Sequence, residues 1–227
     1  MRGKLYGVSV GPGDPGLMTL RAVEIIEKCS VIAAPQTVDG KMFALSIASQ
    51  VVDMTGKEVV PLEFLMTCDK ASRETSHNEI ARKLAAYLDV GKNIAMLNIG
   101  DISVYSTFSY IAKIIVGMGF EIEVCAGVPS FCAAAAELKI PLTEQAKPLI
   151  IIPAQCPEAE KLIALDGSKV IMKSGRLFFQ VRQMIEKRIS GKKIYAVENC
   201  GLENQRKYAD LSEAESCGYY TTIIIEA

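Results

Sequence analysis

The chain has 227 residues, of which 50% are hydrophobic and 22% are charged, the composition of an ordinary globular protein. Its 25 basic and 26 acidic residues give a formal net charge of −1, which speaks against a nucleic-acid-binding protein because such proteins usually carry a basic bias. No apolar run approaches the ~20 residues of a membrane span, and a strand-like run starts close to the first residue, so neither a membrane partner nor a signal peptide is expected.

The cysteines of the chain are spread out and form no CxxC pair. They are Cys29, Cys68, Cys125, Cys132, Cys156, Cys200 and Cys217. An odd number at such spacings indicates neither a disulfide framework nor a zinc site, so no metal site is predicted. Reduced thiols are typical of cytosolic proteins, and a cytoplasmic location is therefore expected.

The first part of the chain alternates short apolar runs with helical patterns. Strands are predicted at residues 4–10, 31–34, 58–62, 93–98 and 121–126, with Pro35 ending the second. Helices are predicted at residues 19–28, 42–52 and 77–89, and a fourth ends near residue 117. The helix at 77–89 has the clearest signal, because Ser76 and Glu79 match a capping box and apolar residues follow at helical spacing.

The second part of the chain continues this alternation. Helices are predicted at residues 131–138 and 178–189, and strands at 149–153, 169–172, 193–198 and 221–226. Alternating strands and helices predict an α/β protein with a largely parallel N-terminal sheet. The glycines at 117 and 119 favour a boundary there, so two α/β domains are predicted, residues 1–118 and 119–227.

The loop that follows the first strand is rich in glycine and proline. Residues 11–16 read Gly-Pro-Gly-Asp-Pro-Gly and fit the GxGxxG pattern of dinucleotide-binding proteins. A diphosphate is disfavoured, because Pro12 and Pro15 have no N–H to donate and Asp14 adds a negative charge. The ribose-binding acid expected after the second strand is also missing from residues 33–35. Two interpretations stay open: a rigid loop for a flat ligand without phosphate, or a plain tight turn with Asp14 at the helix start.

Three segments, in order along the chain, resemble the motifs of the tetrapyrrole methylase family. The first is Gly-Val-Ser-Val-Gly-Pro-Gly-Asp-Pro at residues 7–15, followed by Leu-Met-Thr-Leu-Arg-Ala at 17–22. The second is Gly-Asp-Ile-Ser-Val-Tyr-Ser-Thr at 100–107, and the third is Gly-Val-Pro-Ser-Phe-Cys-Ala-Ala at 127–134. Each motif alone is only modestly specific for the family, but three motifs in this order and at this spacing are specific.

Within that family, the sequence most resembles enzymes that methylate C-20 of precorrin-2 or cobalt-factor II in cobalamin biosynthesis. The segments that carry this resemblance lie at residues 105–107, 119–124, 129–135, 140–142 and 151–154. Uroporphyrinogen methylases resemble one another in a Gly-Gly-Asp-Pro loop, whereas residues 99–102 here read Ile-Gly-Asp-Ile. Another precorrin or uroporphyrinogen methylase is the alternative, and a nicotinamide-dependent oxidoreductase is a more distant one.

The resemblance implies that S-adenosylmethionine binds in a cleft between two α/β domains. It also implies which residues bind this cofactor. They are Pro12 near the adenine; Gly100, Asp101 and Ile102 along the methionine and ribose; Val104, Tyr105, Ser106 and Thr107 near the sulfonium; and Ser130, Phe131, Lys173, Thr221 and Thr222.

Plainer interpretations exist for several of these residues. Asp101 fits an ordinary loop acid, and Ser106 or Thr107 fits a helix N-cap. Phe131 fits a core residue, and two β-branched residues at 221–222 need no function in a strand.

The reaction implied by the resemblance needs little acid–base machinery. The methyl group of a sulfonium is already activated, so the enzyme contributes positioning and exclusion of water. Tyr105 is predicted as the catalytic residue, a base for the C-20 proton, and Glu198 is a second candidate for that base. A tetrapyrrole substrate carries carboxylates, for which the basic residues Arg176, Arg206 and Lys41 are candidates, with plain surface charge as the alternative. His77 is expected to be a solvated surface residue, and the resemblance implies a homodimer.

Overall fold

A computed structural model describes residues 2–65, 67 and 69–227 of the chain. Contacts divide the chain into two compact units, Met1–Pro129 and Ser130–Ala227. The six cysteines among the described residues form no disulfide, and Cys68 lies outside those residues. Among the described residues, every helix is either too short or too polar to cross a membrane.

The first unit is built on a five-stranded parallel sheet. Its strands are β1 (Leu5–Ser9), β2 (Val31–Gln36), β3 (Glu58–Glu63), β4 (Ile94–Asn98) and β5 (Ile122–Cys125). Its helices are α1 (Leu20–Lys28), α2 (Phe43–Ala48), α3 (Lys70–Asp89) and α4 (Phe108–Gly117). The strand order is β3-β2-β4-β1-β5, so β1 lies between β4 and β5.

The short apolar strands of this unit form its core because a parallel sheet is covered by helices on its faces. Leu5, Val31 and Met96 of three different strands are all at most 1% exposed. They pack in one cluster with Leu84 of α3 and Ile115 of α4. The fold thereby holds the carboxyl ends of β1, β4 and β5 side by side.

Helix α3 is longer than predicted. It begins at Lys70, and the side chain of Asp69 accepts a hydrogen bond from the Ser72 N–H at 2.8 Å as its N-cap. The capping box predicted at Ser76 and Glu79 is therefore wrong, since both residues lie inside the helix. The first turns of α3 are polar and show no apolar periodicity, so the sequence pattern gave no sign of them.

Strand β2 continues through Pro35, where the sequence predicted its end. The strand pairs with β4 only from Val31 to Ala33 but with β3 as far as Gln36. Proline removes one donor from a ladder. Because Pro35 lies beyond the ladder with β4, the strand can extend past it along β3.

The second unit contains a mixed five-stranded sheet. Its strands are β6 (Leu149–Pro153), β7 (Ser168–Met172), β8 (Ile194–Glu198), β9 (Arg206–Tyr208) and β10 (Thr221–Ile225). Its helices are α5 (Ser130–Leu138), α6 (Ala159–Ile163) and α7 (Phe178–Arg188). The order is β6-β7-β10-β8-β9, with only β6 and β7 parallel. The short elements α6 and β9 were not predicted.

The boundary between the units differs from the one predicted at 118/119. Strand β5 pairs with β1 over Ile122–Cys125, so it completes the first sheet. The turn around Gly119 joins two elements of one unit, α4 and β5. The glycines there mark a turn within the first unit, and the division falls after Pro129.

Candidate functional site

Three loops of the first unit leave the sheet at the carboxyl ends of β1, β4 and β5. The buried hydroxyl of Ser9, the last residue of β1, connects the other two. Ser9 Oγ donates to the carbonyl oxygen of Cys125 at 2.8 Å and accepts from the Ile102 N–H at 2.9 Å. Ser9 was not predicted, although a lone polar residue in an apolar strand just before a glycine-rich loop is a signal for it.

Two glycines bring the loops after β1 and β4 together. Gly11 and Gly100 both have φ of +73°, a conformation that side-chain-bearing residues rarely adopt. The Gly100 N–H donates to the carbonyl oxygen of Gly11 at 2.7 Å. The two loops predicted to bind the cofactor in this unit are thus joined backbone to backbone.

Asp101 connects the loop after β4 to the loop after β5. Its Oδ2 accepts from the Gly127 N–H at 2.7 Å, and its Oδ1 accepts from the N–H of Ser103 at 2.8 Å and from the hydroxyl of Ser103. Burial raises the pKa of this carboxyl, but the hydrogen bonds from Gly127 and Ser103 outweigh burial and lower the pKa below its ordinary value. The carboxylate is 8% exposed, so it acts on the loops of this unit through their backbone.

The start of α4 is held by a hydroxyl rather than by its N-cap residue. Thr107 is the N-cap but makes no side-chain capping bond. Ser106 Oγ instead accepts from the Phe108 N–H at 3.1 Å and donates to Asn98 Oδ1 at 2.7 Å. Ser106 therefore supports the helix start and also ties it to the end of β4.

Tyr105 lies at the turn of the same segment. Its φ is +50°, in the left-handed region that costs a non-glycine residue free energy. The side chain is 42% exposed, whereas neighbouring Ile102 is 4% exposed and packs in the core. Val104 is half-buried, so Tyr105 is the large side chain of this loop that faces outward.

The glycine- and proline-rich first loop is a compact turn. Pro12 is buried, and Asp14 is exposed and accepts from the Gly16 N–H at 2.8 Å. Residues Pro15–Leu17 form a short 3-10 helix with Asp14 as its N-cap. Both interpretations of this loop thus retain support. Asp14 caps a helix, as expected for a plain turn, and Pro12 is buried within the turn, as expected for a rigid loop.

In the second unit, the predicted residues gather around β10. Thr221 and Thr222 are 2% and 4% exposed, and Thr222 Oγ1 lies 3.5 Å from Ser130 Oγ at the start of α5. Thr221 Oγ1 donates to the Gly218 carbonyl oxygen at 2.8 Å. Phe131 is 6% exposed, in agreement with its interpretation as a packed residue.

Lys173 follows β7 directly. It has φ of +58°, and burial lowers the pKa of its ammonium group below the ordinary value. Its side chain is partly buried. A lysine held in this backbone conformation is positioned by its surroundings, which is compatible with the predicted ligand contact.

The other predicted residues differ in their environments. His77 is partly buried rather than solvated, because its ring stacks on Tyr110 at 5.1 Å between centroids. Lys41 pairs with Asp39 at 2.9 Å, and Arg176 and Arg206 are exposed. None of these contacts identifies a carboxylate-binding residue.

Each unit also has a feature of its own that bears on ligand binding. In the first unit, a Cβ on Gly127 would lie 2.4 Å from Ser9 Cβ and 3.1 Å from the Gly100 oxygen. The backbone at Gly127 therefore packs directly against Ser9 and Gly100, with no room for a side chain. In the second unit, Glu198 is 9% exposed and its Oε2 has no hydrogen-bond partner. An acceptor of this kind suits a ligand group that donates a hydrogen bond.

The sequence matches the family model "Tetrapyrrole (Corrin/Porphyrin) Methylases" over residues 4–215. A cobalt-precorrin-2 C(20)-methyltransferase of Salmonella typhimurium is 36% identical over 190 residues, 82% of this chain and 78% of that protein. A probable cobalt-precorrin-2 C(20)-methyltransferase of Methanocaldococcus jannaschii is 38% identical over 175 residues, 77% of this chain and 74% of that protein.

Solved structures share the fold. A cobalt precorrin-4 methyltransferase superposes with a TM-score of 0.79 at 16% identity, covering 98% of this chain and 94% of that chain. A uroporphyrin-III C-methyltransferase of Thermus thermophilus, solved with S-adenosylhomocysteine, gives a TM-score of 0.72 at 20% identity, with coverages of 99% and 92%.

Proposed function

This chain belongs to the tetrapyrrole (corrin/porphyrin) methylase family, and we propose that it transfers a methyl group from S-adenosylmethionine to C-20 of cobalt-precorrin-2. The observation that carries the proposal is the similarity to two C(20)-methyltransferases at 36% and 38% identity over most of the chain. The joined strand-end loops of the first unit support it, because they form a rigid surface of backbone groups and small residues at the carboxyl edge of a parallel sheet.

The cobalt-containing ring is the preferred substrate in this proposal. The relatives of Salmonella typhimurium and Methanocaldococcus jannaschii, at 36% and 38% identity, are named for cobalt-precorrin-2. A precorrin-2 C(20)-methyltransferase of Sinorhizobium, named without cobalt, is 25% identical over 240 residues. Turnover of both rings under the same conditions tests this preference.

The chemistry asked of the protein in this proposal is mainly positioning. The cofactor supplies a methyl group that a sulfonium has already activated. The loops around Gly100 and Gly127 hold their shape through Ser9 and Asp101, so their backbone groups are preorganised before a ligand arrives. In-line geometry and exclusion of water then supply the rate enhancement.

Tyr105 is our proposal for the group that accepts the C-20 proton after methylation. Its exposed ring and its unusual backbone conformation both set it apart from the buried residues of the same loop. A base must reach the proton that it removes, and Tyr105 faces outward in the loop after β4; it accepts that proton as its phenolate. The remaining predicted residues, among them Pro12, Ser130 and Lys173, are proposed to contact the cofactor.

The deciding experiment is anaerobic turnover of S-adenosylmethionine with cobalt-precorrin-2, precorrin-2 or uroporphyrinogen III, with products read by mass spectrometry and NMR. We expect one methyl group added at C-20 of the cobalt-containing ring. Methylation at another ring carbon would identify a different member of the family. Binding of nicotinamide cofactors instead of S-adenosylhomocysteine would favour the oxidoreductase alternative.

A homodimer in the cytoplasm completes the proposal. Light scattering is expected to give twice the chain mass of 24.6 kDa. A mass equal to that of one chain would contradict the dimer and leave the proposed reaction unaffected.

A further inference from the structure

Two buried polar atoms of the described residues have no hydrogen-bond partner, and both lie in the second unit. They are Ser174 Oγ, just after β7, and Glu198 Oε2, the last residue of β8. Ser174 is 0% exposed, and Glu198 is 9% exposed. An unpartnered buried acceptor or donor costs free energy, so native proteins keep few of them outside functional sites.

The same loop lies beside Glu198 and beside Gly175, the residue that follows Ser174. The Gly218 N–H donates to Glu198 Oε1 at 2.6 Å. On the other side, a Cβ on Gly175 would lie 2.7 Å from Tyr219 Cα and 2.9 Å from the Gly218 oxygen, so the chain next to Ser174 packs against this loop. Glu198 and the residue that follows Ser174 therefore both lie against residues 218–219, just before β10.

The position of Glu198 links it to the predicted cofactor residue Thr221. The two residues are register partners in the β8–β10 ladder. Gly218 joins their side chains, since its N–H donates to Glu198 and its carbonyl oxygen accepts from the Thr221 hydroxyl at 2.8 Å. One oxygen of the carboxylate is thus fixed by the protein, and the second stays open.

Among residues 2–65, 67 and 69–227, no group donates a hydrogen bond to Oε2 of Glu198. Arg206, its register partner on β9, is exposed and makes no ion pair with it in the described part of the chain. The negative charge of Glu198 also acts on the thiol of Cys217. Burial, together with the negative charge of Glu198, raises the pKa of that thiol to about 11.

We propose that Glu198 Oε2 accepts a hydrogen bond from an N–H or O–H group of bound S-adenosylmethionine. This inference rests on the proposed function, because it requires that cofactor. It makes Glu198 a binding residue held in place by Gly218, and it replaces the alternative of a base for the C-20 proton. The donor is one of four groups: the adenine amine, either ribose hydroxyl, or the α-ammonium.

The test compares wild-type protein with Glu198→Gln by calorimetric titration of S-adenosylhomocysteine. Glutamine keeps the size of the side chain but puts an N–H₂ group or a weaker neutral acceptor where the ligand needs a carboxylate oxygen. A hydrogen bond to a charged acceptor corresponds to roughly 10- to 100-fold in Kd, and that loss is expected. Glu226→Gln is the matched control, because Glu226 accepts from the Tyr195 hydroxyl at the opposite end of the same strands and its loss leaves affinity unchanged.

A second variant keeps the proposal testable if Glu198→Gln fails to fold. A Cβ on Gly218 would lie 2.7 Å from Glu198 Oε1, so Gly218→Ala displaces the carboxylate while keeping its charge. We expect weaker S-adenosylhomocysteine binding in this variant as well. Thermal unfolding without ligand confirms that each variant is folded.

Four analogues of S-adenosylhomocysteine identify the donor: the 6-oxo purine, the 2′-deoxy, the 3′-deoxy and the desamino compounds. The effect of Glu198→Gln is expected to vanish with the one analogue that lacks the donor. Equal affinity of wild type and Glu198→Gln for S-adenosylhomocysteine, or an effect that persists with all four analogues, would overturn the inference while the proposed function stands. Failure of the wild-type protein to bind S-adenosylhomocysteine would overturn both.

Discussion

Asp101 Oδ2 accepts a hydrogen bond from the Gly127 N–H at 2.7 Å, across 26 residues of chain. The resemblance implied a direct cofactor contact for Asp101. The observed contacts show that both of its carboxylate oxygens are engaged by the protein. Asp101 therefore holds the loop after β4 against the loop after β5.

Asp101→Asn should weaken S-adenosylhomocysteine binding by about tenfold and lower the melting temperature. An amide can present only one oxygen, so its N–H₂ group faces either Gly127 or Ser103, both of which are donors. Asp69→Asn is the control, since Asp69 caps α3 and asparagine caps helices equally well. Calorimetry and thermal unfolding measure both effects; unchanged affinity would show that the loop tolerates loss of this connection.

The contribution of Asp101 to stability should depend on pH. Hydrogen bonds from Gly127 and Ser103 lower its pKa in the folded protein, below the value of about 3.9 in the unfolded chain. The unfolded state then binds the proton more readily, so the contribution is fully present above the unfolded pKa and is lost as pH falls through the folded pKa. Denaturant unfolding of wild type and Asp101→Asn should differ most above the unfolded pKa, and the difference should shrink as the pH falls through the lowered pKa of Asp101 in the folded protein. A difference that is constant over this range would contradict the assignment.

Gly127→Ala should destabilise the protein by about 1–3 kcal/mol and abolish S-adenosylhomocysteine binding. Its Cβ would lie 2.4 Å from Ser9 Cβ, and neither that atom nor the backbone oxygen of Gly100 can move freely. Gly117→Ala is the matched control, because a Cβ there meets nothing within 4 Å at the end of α4. Equal melting temperatures for the two variants would show that the loops have room to move apart.

Tyr105→Phe should lower kcat by roughly 10²–10⁴ while leaving the Kd for S-adenosylhomocysteine unchanged. The substitution removes only the hydroxyl of an exposed ring. Tyr110→Phe provides the comparison, since Tyr110 is 59% exposed on the following helix. Steady-state kinetics with the tetrapyrrole substrate measure the effect. Activity equal to wild type would remove Tyr105 from the catalytic role.

The family and the α/β fold were predicted correctly from sequence. The elements that were missed or misplaced have physical reasons. Buried parallel strands read as short apolar runs, which is why β1, β4 and β6 were located within a residue or two. The polar beginning of α3 and the three-residue strand β9 carry no periodic signal. Pairing of β5 with β1 is a non-local contact that no local pattern can reveal.

In the candidate site, the contiguous motifs were predicted from sequence, but the contacts between distant residues were not. The motifs around Gly100 and Gly127 are contiguous in sequence, so a resemblance could point to them. Their cooperation depends on Ser9, whose hydroxyl meets Cys125 across 116 residues of chain. The open acceptor of Glu198 likewise depends on the loop at Gly218, which reaches it from β10. The roles of the individual cofactor residues stay predictions until binding is measured.

The hydroxyl of Ser9 also affects the order in which parts of the first unit fold during synthesis. During synthesis, β1 leaves the ribosome long before its edge partner β5, and Ser9 cannot satisfy both of its contacts until Cys125 has emerged. The strand-end loops of the first unit thus reach their final shape only when the last strand of that sheet docks, a contact of high sequence separation that forms slowly. A nascent chain ending before β5 would already contain two of the three motifs and still lack a finished site.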